Sequence, residues 1–375
     1  MGSSLKSELV TGLSFSSLLD NFTHHDLASN QTKLNGVNAS KPWPSELLFN
    51  DGHRVTIVTY SILMVISTIG NITVLTAMWR RRQKTGPQIN TMLMHLAIAD
   101  LLVTFLLMPL EIFWAVTVQW IVGDALCRIS AFFRIFGLFL SSFIIICISV
   151  DRYLAVLKPM NSYQMGRRGK IMLSTAWLAS VICSAPQSII FHVEPHPQFD
   201  DFKQCVMLNS FSSKYQELLY FYMGMFMMYL LPLAVIVFCY TSIVIEIVRR
   251  SRKSDLDRIR RSGPGFLGRA RIRTIKMTII IVLVFVICWT PYYAVCVWFH
   301  TDEASFKRID DKLQRGLFLF ASTNSCMNPI VYGIFNIRPH RTTTIPTRGK
   351  TYVGRMSYDT DIRLPAFTLS LRSVE

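Results

Sequence analysis

Seven long apolar blocks constrain what this chain can fold into more than any other feature of its sequence. They cover about residues 55–78, 89–116, 127–157, 171–191, 218–248, 275–299 and 313–335 of 375. A transmembrane α-helix needs about 20 mostly apolar residues, and backbone polar groups in lipid must be hydrogen-bonded within their own segment. Each block therefore predicts a spanning helix, and the chain predicts an all-α membrane protein, a seven-transmembrane helix bundle.

Basic residues are concentrated between particular blocks, and this sets the orientation of the predicted bundle. Basic runs lie at 80–84 and 167–170, and eleven lysines and arginines lie within 249–276. Because cytoplasmic loops are enriched in Lys and Arg, these segments should be cytoplasmic, and seven spans then place the amino terminus outside. The net charge of +16 follows this pattern. We therefore expect a multi-pass plasma-membrane protein that contacts membrane lipid, with no nucleic acid as partner.

The blocks divide the chain into three parts. Residues 1–53 are predicted to form an extracellular arm, residues 54–336 the transmembrane domain, and residues 337–375 a cytoplasmic tail. The arm carries three Asn-X-Ser/Thr sequons, at Asn21, Asn30 and Asn38. Such sequons are acceptors of N-glycosylation, so we expect the arm to be glycosylated.

Asp100 lies in the middle of the second block, where an ionised side chain is expensive unless it finds partners. Polar residues on other blocks are candidate partners: Asn71, Ser141, Asn324 and Asn328. The group could be a hydrogen-bonded cluster that locks the bundle, a hydrated switch that binds a cation, or both. Asp100, Ser141, Asn324 and Asn328 are the candidate ligands of a sodium ion, and no other cofactor is predicted.

A pair of opposite charges lies near the outer ends of the second and third blocks. Glu111 follows Pro109, which should kink its helix, and Arg134 lies about two turns inside the third block. Because both side chains would be desolvated at this depth, we expect them to form an ion pair. The pair could be an internal salt bridge or could line an outward cavity, and we favour the ligand-facing interpretation.

Prolines inside two blocks predict points at which helices bend. Pro291 follows Cys288-Trp289-Thr290 in the sixth block, and Pro329 follows Asn328 in the seventh. Proline removes one backbone hydrogen bond from a helix and kinks it. The sixth and seventh helices are therefore expected to bend near their middles.

The predicted outer loops differ in length. Trp120-Ile-Val-Gly123 makes the first one very short, so the second and third helices should be antiparallel neighbours. Residues 192–211 form the second outer loop and contain two short stretches of strand character around Cys205. A β-hairpin lid is expected there.

Polar and proline motifs occur about one per block and in a recognisable order. They are Gly70-Asn71, Leu96-Ala97-Ile98-Ala99-Asp100, Cys127 with Asp151-Arg152-Tyr153, Trp177, Pro232 with Tyr240, Cys288-Trp289-Thr290-Pro291, and Asn328-Pro329-Ile330-Val331-Tyr332. Together they resemble the rhodopsin-type, or class A, G-protein-coupled receptors over roughly residues 55–335. The resemblance implies a receptor and not an enzyme, with heterotrimeric G proteins, receptor kinases and arrestins as partners.

Longer strings narrow the resemblance. They are Met108-Pro-Leu-Glu111-Ile, Phe132-Phe-Arg134-Ile-Phe-Gly137-Leu, Cys183-Ser-Ala-Pro186-Gln-Ser, Gly265-Phe-Leu-Gly268-Arg-Ala and Asn324-Ser-Cys-Met-Asn328. These strings are similar to those of insect adipokinetic hormone receptors, in the group that includes corazonin and gonadotropin-releasing hormone receptors. The resemblance implies a short, amidated neuropeptide ligand, adipokinetic hormone first, and coupling through Gq to calcium or through Gs to cyclic AMP. Receptors for corazonin and for adipokinetic hormone/corazonin-related peptide are the alternatives.

The resemblance also suggests roles for individual residues. The expected peptide-binding residues are Glu111, Arg134, Gln187, Tyr292, Tyr293, Trp298, Phe299, His300 and Gln314. The expected activation switch comprises Asp100, Asp151, Arg152, Tyr153, Tyr240, Trp289, Pro291, Asn328, Pro329 and Tyr332. Cys127 and Cys205 are the cysteines placed near the outer face, and they are expected to form a disulfide between the third helix and the second outer loop.

Two positions depart from the family pattern. Arg271 stands where many class A receptors carry an acidic residue that holds the arginine of the third helix. Arg152 should therefore be restrained chiefly by Asp151. Pro339 interrupts the segment that usually forms a short amphipathic helix after the seventh span, which leaves open whether that helix forms.

Other classes of membrane protein fit the sequence less well. An opsin requires a lysine in the seventh block, and residues 313–335 contain none. An amine receptor would usually carry Asp at the position of Arg134. A transporter or channel predicts inverted repeats or broken helices with several intramembrane charges, and we find no such repeat. The sequence contains no metal-ligand spacing or nucleophile motif of an enzyme.

Overall fold

Six helical stretches long and apolar enough to cross a membrane are present in the computed structural model. The structure describes residues 48–85, 88–157, 162–196, 199–207, 209–257, 266–301 and 311–336. Within these residues the six stretches are Asp51–Arg80, Ile89–Thr117, Asp124–Leu157, Gly166–Ile190, Lys214–Arg249 and Ile275–Trp298. They coincide with the first six predicted blocks. Helices Asp311–Ser322 and Asn324–Asn336 form the last block, and the predicted seven-transmembrane fold class is confirmed.

Two predictions concern residues outside this range, and a third concerns a side chain that the structure does not describe. The sequons at Asn21, Asn30 and Asn38 lie outside the described residues, as does Pro339. The backbone of Arg271 belongs to helix Phe266–Thr301, but its side chain is not among those described.

The complete helices extend past several of the apolar stretches. The first span belongs to helix Asp51–Thr85, the third to Asp124–Leu157, the fourth to Ser162–Ile190 and the sixth to Phe266–Thr301. The second span combines helices Gln88–Leu102 and Met108–Thr117, and the fifth combines Lys214–Met225 and Leu231–Asp257. A short π-helical segment joins the two parts in each case.

The third span is the central helix of the bundle. Of its most apolar window 78% is buried, against 28% for the first span and 22% for the fifth. Leu140, Ile144, Ile145 and Ile148 are each at most 2% exposed. A helix that is apolar on every side is one that packs on every side. Arg134 and Asp151 on this helix, at 2% and 5% exposed, therefore face protein and not lipid.

The π-helical segments lie directly before proline-containing helices. Val103–Leu107 precedes Pro109, and Phe226–Leu230 precedes Pro232. Met108 N donates to Val103 O, a bond one residue longer than in an α-helix. Pro109 was predicted to kink its helix, and the structure shows this irregularity as an extra residue in the preceding turn, which rotates all side chains beyond it.

The seventh block forms two helices, and Pro329 lies inside the second of them. The block is interrupted at Thr323, between helices Asp311–Ser322 and Asn324–Asn336. Thr323 N and Oγ1 both donate to Phe320 O, at 3.1 and 2.6 Å. These bonds close a tight turn three residues long and replace the regular helical pattern. A threonine side chain therefore closes a turn that the sequence analysis did not predict, in addition to the proline at 329.

Pro329 instead joins the seventh span to the first. Proline has no N–H, so Ser325 O, four residues earlier, lacks its helical partner. Asn71 Nδ2 donates to this carbonyl at 3.0 Å. A Cβ atom on Gly70 would lie 2.8 Å from Pro329 Cβ. The Gly70-Asn71 pair therefore provides both the room and the donor that the proline requires.

The second outer loop forms the predicted β-hairpin. Strand β1, His192–His196, pairs antiparallel with strand β2, Phe199–Val206, and Val193 lies opposite Cys205. Cys205 forms a disulfide with Cys127, with a Cα–Cα distance of 5.6 Å. The hairpin is thereby fastened to the outer end of the central helix.

Replacing either cysteine of this disulfide with Ser should lower surface expression and the temperature of unfolding, because removing a native disulfide costs about 2–5 kcal/mol. The Cys127→Ser/Cys205→Ser double variant should be little worse than either single variant, since one bond is lost in all three. Flow cytometry with an extracellular tag measures expression, and Cys183→Ser, which changes a free thiol, is the control. Losses that add in the double variant would contradict the bond.

Candidate functional site

Glu111 and Arg134 form an ion pair inside the outer half of the bundle. Glu111 Oε1 lies 2.7 Å from Arg134 Nη2, and the residues are 8% and 2% exposed. Glu111 follows the π-helical segment by one turn, and Arg134 projects from the central helix. The predicted pair is therefore present. Because both groups are withdrawn from water, each depends on the other for charge compensation.

Aromatic rings enclose the Arg134 guanidinium. Its Cζ lies 5.8 Å from the centre of the Trp114 ring and 5.4 Å from that of Phe318. Both distances fit cation–π attraction. Among the described residues, no group accepts a hydrogen bond from Arg134 Nε or Nη1. The guanidinium is therefore neutralised and packed, but it retains N–H donors that a bound carbonyl oxygen could use.

An aromatic cluster connects this ion pair to the middle of the sixth span. Tyr292 lies 5.7 Å from Phe318 and 6.1 Å from Trp289, measured between ring centres. Tyr293 lies 5.9 Å from Trp289 and stacks on Tyr229 at 5.0 Å. The predicted wall residues Tyr292 and Tyr293 are thus buried between Arg134 and the Pro291 hinge. Ring packing therefore connects the two regions.

The other predicted binding residues are dispersed around this cluster. Gln187 is buried and donates a hydrogen bond to the Tyr220 hydroxyl, so it joins the fourth and fifth spans. His300 packs against Phe221 with ring centres 4.1 Å apart. Trp298 is 41% exposed, unlike the buried tyrosines. The side chains of Phe299 and Gln314 lie outside those that the structure describes.

Asp100 is fully buried and has two of its four predicted partners. Ser141 Oγ donates to Asp100 Oδ1 at 3.2 Å, and Asn328 Nδ2 donates to Oδ2 at 2.8 Å. Asn71 was predicted as a third partner, but it donates to Ser67 and Ser325 O instead, because Pro329 leaves that carbonyl available. Thr104, which the sequence did not single out, donates to Asp100 O at 2.6 Å.

The surroundings of Asp100 fit a small cation. The side-chain oxygens of Asn324 and Asn328 are buried and have no hydrogen-bond partner in the described part of the chain. The Asp100 carboxylate, Ser141 Oγ and the Asn328 side chain lie together, and oxygen atoms are the ligands that hard cations prefer. These residues would hold the ion, and its charge would compensate the buried carboxylate.

Asp151 and Arg152 are paired at the inner end of the third span. Arg152 Nε donates to Asp151 Oδ2 at 3.1 Å, and a second guanidinium nitrogen contacts the same oxygen. Tyr153 lies 5.6 Å from Phe238 between ring centres. Tyr240 packs beside Val156, Ile243 and Ile275. The third, fifth and sixth spans therefore converge around the paired Arg152, and Tyr332 is buried in the seventh.

The sequence did not single out an outer cluster beside the disulfide. Trp114, Trp120, Cys127, Phe191, Cys205 and Met207 share one buried cluster. Trp114 follows Glu111 by three residues in the same helix, so it lies near the same face. This spacing is the one sequence signal that could have identified it.

His196 is the last residue of strand β1 and is 5% exposed. It packs against Phe199 and Phe202, with ring centres 5.2 and 6.1 Å away. Burial lowers the pKa of His196 below its usual value because the charged form loses hydration. The folded state therefore binds this proton less readily than the unfolded state, so stability is lost as the pH falls from about 6.5 toward the lowered pKa.

Comparison with known proteins places these features in a family. The family described as 7 transmembrane receptor (rhodopsin family) matches residues 70–332. The gonadotropin-releasing hormone II receptor of Clarias gariepinus is 36% identical over 327 residues, covering 85% of this chain and 85% of that receptor. The gonadotropin-releasing hormone receptor of Sus scrofa is 32% identical over 293 residues, 76% of this chain and 89% of the receptor. The Homo sapiens receptor of the same name is 28% identical over 319 residues.

Proposed function

The chain belongs to the rhodopsin family of seven-transmembrane receptors, and we propose that it is a receptor for a short amidated neuropeptide of the adipokinetic hormone type. The observation that carries this proposal is the buried Glu111–Arg134 pair. Its guanidinium keeps unused N–H donors beside the rings of Trp114 and Phe318. A relationship to receptors named for a peptide hormone supports a peptide ligand. The strings around Glu111 and Arg134 favour adipokinetic hormone within that group.

The chemistry of the pair suits a peptide without terminal charges. A blocked, amidated peptide offers backbone carbonyl oxygens and few ions, so it would accept hydrogen bonds from Arg134 and not replace Glu111 as its counter-charge. Hydrogen bonds from a charged donor are about twice as strong as neutral ones. The surrounding rings would exclude water and pack against apolar side chains of the peptide.

A route from this pocket to the cytoplasm follows from the aromatic cluster. Peptide contacts near Tyr292 and Tyr293 would act on Trp289 and on the Pro291 hinge, because these rings are packed together. A ligand shifts a two-state helix only if it binds one state more tightly. The inner half of the sixth span would then move away from Arg152 and open a cleft for a G protein.

A panel of peptides tests the function directly. Cells expressing the receptor should respond to an amidated adipokinetic hormone at lower concentration than to corazonin, adipokinetic hormone/corazonin-related peptide or gonadotropin-releasing hormone. Evoked calcium and cyclic AMP report Gq and Gs coupling separately. A stronger response to corazonin or to the corazonin-related peptide would reassign the ligand, and no response to any peptide would overturn the proposal.

The remaining expectations follow from the same assignment. We infer a plasma-membrane receptor with an extracellular, glycosylated amino-terminal arm, regulated by receptor kinases and arrestins. The cell-surface location is tested by labelling an amino-terminal tag on intact cells. Label that appears only after permeabilisation would contradict this topology.

Sodium should weaken peptide binding, since an ion held at Asp100 would stabilise one arrangement of the spans and the peptide another. We expect replacement of sodium by N-methylglucamine, at constant ionic strength, to tighten binding by about fivefold or more in the wild type. Asp100→Asn should abolish this effect. Asp124→Asn, which changes an outer carboxylate of the third span, is the control. A sodium effect that survives in Asp100→Asn would contradict the site.

A further inference from the structure

Gln204 is a buried polar side chain on strand β2, directly before the disulfide cysteine, and is 4% exposed. Both ends of its amide are hydrogen-bonded. Trp114 Nε1 donates to Gln204 Oε1 at 2.8 Å, and Gln204 Nε2 donates to Val118 O at 2.7 Å. Because the indole can only donate and the backbone carbonyl can only accept, the two partners require a side chain that both accepts and donates, as the Gln204 amide does.

The Val118 carbonyl lies at a strained end of the helix that carries Glu111. Val118 caps helix Met108–Thr117 in the left-handed region, with φ of 60°. A β-branched residue rarely adopts this conformation. Carbonyls at a helix end lack intrahelical partners, and Gln204 supplies one. The side chain of Gln204 therefore stabilises the end of this helix as well as its tryptophan.

Trp114 transmits this constraint to the ion pair. Its ring lies 5.8 Å from Arg134 Cζ and 5.2 Å from the Trp120 ring. The hydrogen bond to Gln204 fixes one end of the indole, and the contact with Trp120 restricts its tilt. Gln204, Trp114, Arg134 and Glu111 therefore form a continuous series of contacts from the outer hairpin into the proposed pocket.

We propose that Gln204 is a positioning residue for peptide binding, which acts by holding Trp114 over Arg134. This inference rests on the proposed function. The hairpin and the ion pair then form one unit, and the hairpin contributes to affinity without requiring its own contact with the peptide. Fixing a binding group in its bound position raises affinity by reducing the loss of freedom on binding.

The hairpin has other attachments that do not involve the side chain of Gln204. Trp120 N donates to Lys203 O at 2.8 Å, and the disulfide joins Cys205 to Cys127. Val193 N donates to Asp124 Oδ1 at 2.9 Å. Gln204→Leu should therefore leave the hairpin in place. It removes the partners of the Trp114 indole and the Val118 carbonyl while keeping a side chain of similar size.

Saturation binding of a labelled amidated adipokinetic hormone, at matched surface expression, tests the proposal. Gln204→Leu should raise Kd about tenfold, as expected when buried polar groups lose their partners. In an Arg134→Gln background the same change should have little further effect, because Gln204 acts through that residue. A purely structural role would cause the same loss in both backgrounds. Lys203→Leu, an exposed position on the same strand, should bind as the wild type does.

A measurement without peptide separates failure of this inference from failure of the proposed function. The unfolding temperature of the purified receptor should fall in Gln204→Leu and in Trp114→Phe, and the fall in the double variant should be smaller than the sum of the two single falls, because the shared hydrogen bond is lost only once. Additive falls in unfolding temperature, or an undiminished Gln204→Leu effect in the Arg134→Gln background, would overturn the proposal. If the receptor binds no peptide but the falls in unfolding temperature do not add, Gln204 and Trp114 interact as described. The claim that Gln204 positions a peptide-binding residue would then be overturned together with the proposed function.

Discussion

Arg134→Gln is expected to raise the peptide concentration for half-maximal signalling by about 100-fold, because removing one partner of a buried, hydrogen-bonded charge pair at a binding site costs about 2–5 kcal/mol of binding free energy. The change leaves the Glu111 carboxylate buried without its counter-charge and removes the donors offered to the peptide. Evoked calcium and cyclic AMP at matched surface expression measure it. Arg54→Gln is the control, because that arginine side chain is 70% exposed and far less dependent on its ion pair.

Glu111→Gln should weaken the response in the same direction, since Arg134 would then keep an uncompensated charge. The two roles differ, because the glutamate orients the guanidinium while the guanidinium offers hydrogen bonds to the ligand. An unchanged potency in Arg134→Gln would reduce the pair to an internal salt bridge.

Arg152→Ala should abolish G-protein activation while leaving peptide binding largely intact, and Asp151→Asn should raise signalling in the absence of peptide. The reason is that Asp151 holds Arg152 in the structure, and the G protein would need this arginine released. The sequence provides an arginine at 271, not the acid that restrains this group in many related receptors. The resting state should therefore depend heavily on Asp151.

Basal and evoked second messenger, measured beside radioligand binding, distinguish the two effects. Tyr153→Phe is the control variant in the same motif, since it keeps the ring that packs on Phe238 and removes only a hydroxyl. Full signalling by Arg152→Ala at normal expression would contradict this mechanism, as would an unchanged basal level in Asp151→Asn.

The charged part of the candidate site could be predicted from the sequence because charge inside a membrane requires a partner. Glu111 and Arg134 lie at similar depths on neighbouring blocks, so each is the nearest opposite charge that could compensate the other. The same reasoning correctly paired Asp100 with Ser141 and Asn328. It failed for Asn71, since nothing in a periodic pattern reveals which carbonyl a distant proline leaves without a donor.

The irregular parts of the fold could not be predicted in position. Pro109 and Pro232 indicate that their helices deviate, but both deviations lie in the preceding turn as π-helical segments. Thr323 closes a turn through its own hydroxyl, which is a local competition with the helix that the sequence leaves undecided. Gln204 carries no signal either, because its partners, Trp114 within helix Met108–Thr117 and Val118 at the end of that helix, are ninety and eighty-six residues away in the chain.

The most direct test of the peptide pocket is the equilibrium binding of a labelled amidated adipokinetic hormone to membranes containing four receptors. These are the wild type, Glu111→Gln, Arg134→Gln and the double variant. If the pair acts as a unit, the double variant should bind about as weakly as Arg134→Gln alone, with a coupling free energy of about 1 kcal/mol or more. Wild-type affinity in all four receptors, or losses that simply add, would contradict the account.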